Sequence, residues 1–164
     1  SAGGSIAEAV AYTAGDNAIR GVAALYAPAD LKLAWDNSRE GDVLDPLRLL
    51  RQYLGGSPDE VPAAYAAASG ALNVSRRAPP TLLVHGALDT LVRSRQSARL
   101  DARLAELGVL HAFVSLPWAT HAFDFNLDGP GGQLATYAID YFLAAVTKPD
   151  RSNKEMEQVG SAAR

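Results

Sequence analysis

Residues 80–92 read PTLLVHGALDTLV, and this stretch decides the fold. Thr81 to His85 is a short apolar run introduced by Pro79-Pro80 and ended by Gly86, the pattern of a strand buried on both faces rather than one. Two more such runs flank it in the chain: Gly21 to Pro28 (GVAALYAP) before it, and Ala112 to Leu116, ended by Pro117, after it. Between the second and third runs, Ser94 to Leu107 carries Leu100, Leu104 and Leu107 on one helical face, with Gly108 as a stop. A strand, a helix and a strand in that order make a right-handed crossover, so the strands are parallel. Ahead of them, Ala2 to Ala14 places Ile6, Ala9, Val10 and Thr13 at helical spacing, with Gly15 where a left-handed C-terminal cap belongs. Behind them, Leu134, Tyr137, Tyr141, Phe142 and Ala145 form a terminal stripe expected to cover one face of the sheet. The expected fold is α/β, a doubly wound, mostly parallel sheet of about three strands with flanking helices.

The segment 31–78 interrupts this alternation. It holds turn signals at Asp36-Asn37, Asp45-Pro46, Gly55-Gly56 and Ser57-Pro58, around short helical pieces at Pro46 to Leu54 and Pro62 to Ala68. A connection of that length is often a lid or binding loop, and it is expected here as a lid-like insertion within one domain covering 1–147. Residues 148–164 turn polar and are expected to form a tail with little to dock it.

Composition narrows the function. The 164 residues are 48% apolar and 20% charged, with a net charge of −3. The charges are interspersed and no basic stripe matches nucleic-acid phosphates, so nucleic acid is not an expected partner. Cysteine is absent, which removes disulfides, thiolate metal sites and a cysteine nucleophile while leaving the compartment open. The three histidines are too scattered for a metal site, and no run is long and apolar enough to span a bilayer.

Ser1-Ala2-Gly3-Gly4, followed at once by a helix, matches the second half of the G-x-S-x-G turn, in which small residues let a strand bend sharply into a helix and leave the serine exposed. Taken alone, such a serine is as easily a helix cap. Asp89 lies just past the second strand and His121 just past the third, in LPWATHAFDF (116–125), both at the sheet edge where open α/β folds bind ligands. Asp89 alone could be a turn residue and His121 alone a solvated loop residue. Asp124 is a rival acid, but it follows the histidine in the same loop. His85 is expected to satisfy a buried hydrogen bond beside the site, and His111 to be structural. Trp35, Trp118 and Phe123 are candidates to line a substrate pocket, or else core residues.

Three motifs, SAGGSIAEA at Ser1, PPTLLVHGALDTLV ending at Val92 and LPWATHAFDF ending at Phe125, together with the order serine, aspartate, histidine, resemble the carboxylesterase and hormone-sensitive-lipase-like branch of the α/β-hydrolases. The resemblance spans about nine-tenths of the chain and is weakest over 31–78. It implies hydrolysis of a small-molecule carboxylic ester through an acyl-enzyme, without metal or organic cofactor. It makes Ser1 the nucleophile, His121 the general base and acid, Asp89 the orienting acid and the Ala2 N–H an oxyanion donor. A prolyl-oligopeptidase-like peptide hydrolase has the same order of residues, and a non-catalytic hydrolase-fold binding protein is the alternative outside enzymes. The same resemblance leads us to expect an N-terminal half of the protein ahead of Ser1, bearing the strand that enters the turn and the remaining oxyanion donors.

Overall fold

The computed structural model describes residues 1–42 and 44–147, so the expected polar tail at 148–164 lies outside the described residues. The elements run α1 (Ala2–Thr13), β1 (Val22–Leu25), α2 (Leu31–Asn37), α3 (Pro46–Leu54), α4 (Pro62–Ala68), α5 (Gly70–Asn73), β2 (Thr81–Gly86), α6 (Arg95–Leu107), β3 (His111–Leu116) and α7 (Pro130–Thr147). The strands form one sheet in the order β1-β2-β3. Both pairings are parallel, with Val22 opposite Thr81 and Thr81 opposite His111.

Alternation along β2 divides the core. Leu83 points to the face covered by α1, α5 and α6, where it joins Tyr12, Ala71, Leu100 and Leu104. Leu82 and Val84 point to the other face with Leu116 and Ala119, against Ala138, Ile139 and Phe142 of α7. All six β2 residues are buried, which is why the run contains no polar alternation to read. Leu100 and Leu104 are fully buried one helical turn apart, and truncating either to alanine removes roughly 2–5 kcal/mol of stability.

Three expectations need correction. β1 is shorter than the apolar run 21–28: Tyr26 still donates its N–H to the Val84 carbonyl at 2.8 Å, but its φ of 41° turns the chain out of the strand. The inward face of α1 is Ser5, Glu8 and Tyr12, while Ile6 and Val10 are half-exposed. Two contacts set that rotation. Tyr12 Oη bonds Thr81 Oγ1 at 3.0 Å, and Gly4 lies so close to β1 that a Cβ there would meet the Ala27 Cβ at 2.9 Å. On α7 the packed stripe is Ala135, Ala138, Ile139 and Phe142, whereas Tyr137 and Tyr141 are each 71% exposed. Gly131 and Gly132 press on the backbone of residues 123–127, and the Phe142 ring fills the space a Gly21 side chain would need. Those close approaches turn the tyrosines outward.

The segment 31–78 divides in two. α5 contributes Ala71, and Val74 follows it into the same core cluster, while α2 is anchored through Asp30. The Asp30 backbone exchanges two hydrogen bonds with the Gln96 side chain, and its carboxylate pairs with Arg99 at 2.8 Å. α3 has no buried residue.

Candidate active site

Parallel strands deliver their C-terminal ends to one edge, and three loops meet there. Asp89 follows β2 in a tight turn. Its Oδ1 accepts the backbone N–H groups of Leu91 and Val92, both at 2.9 Å. Its Oδ2 accepts from His121 Nδ1 at 2.7 Å and has His85 Nε2 at 3.3 Å. The residue is 3% exposed. Burial by itself raises its pKa, but the nearby His85 and His121 imidazoles and the Val92 N–H outweigh burial and hold the carboxyl below its usual range. Asp89 is therefore a buried anion at neutral pH.

His121 reaches it because the β2–α6 and β3–α7 loops are laced together. Ala87 donates to the Leu116 carbonyl at 2.9 Å, and Leu88 to the Ala119 carbonyl at 3.0 Å. Gly86 permits the approach, since a Cβ there would fall on the Ala119 carbonyl group. Immediately after the histidine, Ala122 has φ 55°, a left-handed step that turns the loop back. With Nδ1 bonded to Asp89, Nε2 has no hydrogen-bond partner among the described residues.

Tyr26 is a site residue that sequence reasoning missed. Its ring lies 4.5 Å from the His121 imidazole, centroid to centroid, and its hydroxyl donates to Asp124 Oδ1 at 2.7 Å. Burial, and then the Asp124 carboxylate, push the phenol up to about 12. Asp124, the rival acid, is thus the partner of Tyr26, and the imidazole is flanked by an aromatic wall tied to its own loop. A non-glycine residue held at positive φ is a local strain found preferentially at functional sites. The available signal was a tyrosine at the very end of a buried strand, where it read as one more apolar position.

Ser1 stands at the N-terminus of α1 and makes no side-chain capping bond, so its hydroxyl is not used as a helix cap. No hydrogen bond joins Ser1 Oγ to His121 among the described residues; such bonds are commonly long until a ligand is bound. Ser1 and Ala2 open onto a cavity of about 420 Å³. Its other walls include Leu31 and Ala34 of α2, Pro46, Leu49, Leu50 and Tyr53 of α3, and Leu91 and Val92 of the Asp89 loop.

None of the three aromatic candidates lines that cavity. Trp35 packs edge-on against Tyr65 and under the Arg51 guanidinium. Trp118 is half-exposed, and Phe123 packs edge-on against Tyr26. The apolar wall comes from α3, whose residues 46, 49, 50 and 53 share one helical face. His85 is fully buried, with Nδ1 on Ser97 Oγ at 2.7 Å and Nε2 on the Val92 carbonyl at 2.8 Å. His111 bonds the Val109 carbonyl at the far end of β3 and faces Asp101.

A parallel sheet with helices on both faces and its acid and imidazole on consecutive strand-end loops defines an α/β-hydrolase. The BD-FAE family matches residues 1–104, and the chain belongs to that family. Esterase LipC of Mycobacterium tuberculosis is 34% identical over 89 residues, which are 54% of this chain and 22% of that protein. A truncated carbohydrate esterase from gut microbiota superposes with a TM-score of 0.60 at 25% identity, over 79% of this chain and 43% of that one. An acylaminoacyl peptidase from Pyrococcus horikoshii has a TM-score of 0.69 at 18% identity, over 90% of this chain and 23% of that one. The chain therefore spans about a fifth of the curated relative and less than half of either solved structure.

Proposed function

We propose that this chain carries the nucleophile, base and acid of a carboxylic-ester hydrolase: Ser1, His121 and Asp89. One observation carries the reading, the 2.7 Å bond from His121 Nδ1 to a buried Asp89 carboxylate that keeps its charge. That bond puts the Nδ1 proton toward the acid and leaves the Nε2 lone pair to act as base. In the reaction, His121 Nε2 takes the Ser1 hydroxyl proton as Oγ attacks the ester carbonyl. The anion that forms on the carbonyl oxygen meets the Ala2 N–H at the start of α1, where the helix dipole favours negative charge. The protonated imidazole, steadied by Asp89, then gives its proton to the departing alcohol. Water repeats both steps and releases the acid, so no metal or organic cofactor is needed.

The cavity lined by α2 and α3 would receive the apolar part of a small-molecule ester, which makes the first half of 31–78 the pocket wall of the domain proposed for 1–147. The esterase relatives support ester over peptide cleavage, since the peptidase likeness, at 18% identity, speaks only for the fold. The test uses the protein carrying this chain. A fluorophosphonate should label Ser1, and p-nitrophenyl esters should turn over faster than aminoacyl amides. Faster amide cleavage would favour the peptidase, while unchanged ester turnover after Ser1→Ala would end the catalytic reading altogether.

A further inference from the structure

The Asp89 carboxylate faces two imidazoles, and only one of them belongs to the proposed triad. His85 is fully buried at the end of β2, and its Nε2 lies 2.8 Å from the Val92 carbonyl and 3.3 Å from Asp89 Oδ2, the same oxygen that accepts from His121. A carbonyl and a carboxylate are both acceptors, so a His85 proton sits on Nε2; its hydrogen bond runs to the Val92 carbonyl, and Asp89 Oδ2 is a second, longer contact. On the other side of the ring, Nδ1 lies 2.7 Å from Ser97 Oγ in the first turn of α6. In the Nε2–H tautomer Nδ1 is an acceptor, and the Ser97 hydroxyl donates to it. Ser97 is 2% exposed, so water does not compete for that bond.

From this geometry we propose that His85, oriented by Ser97 and by the bond from Nε2 to the Val92 carbonyl, is a positioning residue for the reaction: its N–H edge, 3.3 Å from Asp89 Oδ2, moderates the pull of the carboxylate on the His121 imidazolium. This rests on the triad reading above. The chain of contacts Ser97, His85, Asp89, His121 joins α6, β2 and both loops, and His85 also holds the Val92 carbonyl, beyond the two N–H groups that grip Oδ1. Without the His85 donor, Oδ2 keeps more charge for His121, the imidazolium is stabilised, and the base becomes available only at higher pH.

The experiment uses the protein carrying this chain. His85→Phe, which keeps the ring shape without either nitrogen, should move the acid limb of the kcat/KM profile up by about half a pH unit or more and lower kcat at neutral pH. His85→Gln, whose amide N–H falls near the Nε2 position, should return the limb toward the parent. A limb unmoved by a folded His85→Phe protein overturns the proposal. A second readout needs no substitution at His85. Imidazole ¹⁵N shifts of the parent protein should show His85 as the Nε2–H tautomer, and an Nδ1–H tautomer would overturn the proposal even if His85→Phe fails to fold. Both results are separable from failure of the triad reading, which shows as ester turnover surviving Ser1→Ala.

Discussion

Replacing Glu8 by glutamine should remove most of the pH dependence of stability between about pH 5 and pH 8. Glu8 sits on the inward face of α1, 1% exposed, against Gly70, where even an added Cβ would meet its own Cβ at 2.8 Å. Its Oε2 has no hydrogen-bond partner among the described residues. Burial raises its pKa from 4.5 to about 8, so the folded protein holds a proton at Glu8 that the unfolded chain releases above 4.5. The unfolded state therefore binds fewer protons throughout that window, and stability falls as pH rises from 4.5 to about 8, then levels off. Each pH unit inside the window removes up to about 1.4 kcal/mol, and the whole interval up to about 5 kcal/mol. Glutamine keeps the shape without an ionisable proton. It leaves an amide N–H₂ in a site lacking acceptors, at roughly 1–3 kcal/mol, so the two stability curves should cross. The glutamine variant is weaker near pH 5 and stronger near pH 8.5. Urea unfolding followed by the fluorescence of Trp35 and Trp118, at intervals from pH 5 to 9, measures this directly. Contributions common to both proteins, the histidines included, cancel in the difference. Parallel curves across the window would refute the claim that Glu8 is buried as a neutral acid.

Three further outcomes are expected. Asp89→Asn should lower kcat by roughly four orders of magnitude with a much smaller change in KM, because the amide no longer favours the productive tautomer of His121; steady-state ester kinetics read this, and a loss under tenfold would contradict it. Tyr26→Phe keeps the ring on His121 but deletes the bond to Asp124, so it should lower stability by about 1 kcal/mol with little effect on kcat, whereas Tyr26→Ala should depress kcat as well; equal kcat values in the two variants would mean that the ring does not hold the imidazole. Leu49→Asp on α3 should raise KM for esters with a bulky apolar group far more than for acetyl esters, measured on a p-nitrophenyl ester series, and a uniform change would remove α3 from the substrate wall.

Much of the fold was legible because its period signals are strong. β2 is buried on both faces and reads as an uninterrupted apolar run, and the α6 stripe of Leu100 and Leu104 is bounded by a glycine that does take a left-handed φ of 68°. The side chains at the sheet edge were legible as residue types at strand ends, where a hydrogen bond joins Asp89 and His121. Helix rotation was less legible. In α1 hydropathy selected Ile6 and Val10, yet the face that packs carries Glu8, because a protonated carboxyl is tolerated where Gly70 makes room. In α7 the tyrosines looked like the best core residues, but close backbone contacts at Gly131 and Gly132 chose the smaller stripe. The pocket aromatics failed for a related reason. Trp35, Trp118 and Phe123 were chosen by size and nearness in sequence, whereas the wall is made by whichever helix face the segment 31–78 turns toward Ser1.

Sequence alone determined the order of elements, the parallel sheet and the residue types at its rim, because periodicity, breakers and strand ends are local properties of the chain. Tertiary structure decided which oxygen of Asp89 meets which imidazole, that Tyr26 flanks His121, and that α3 faces the cavity. Those depend on distances between segments far apart in the chain, set by glycine contacts and the lacing of two loops, and no local pattern encodes them.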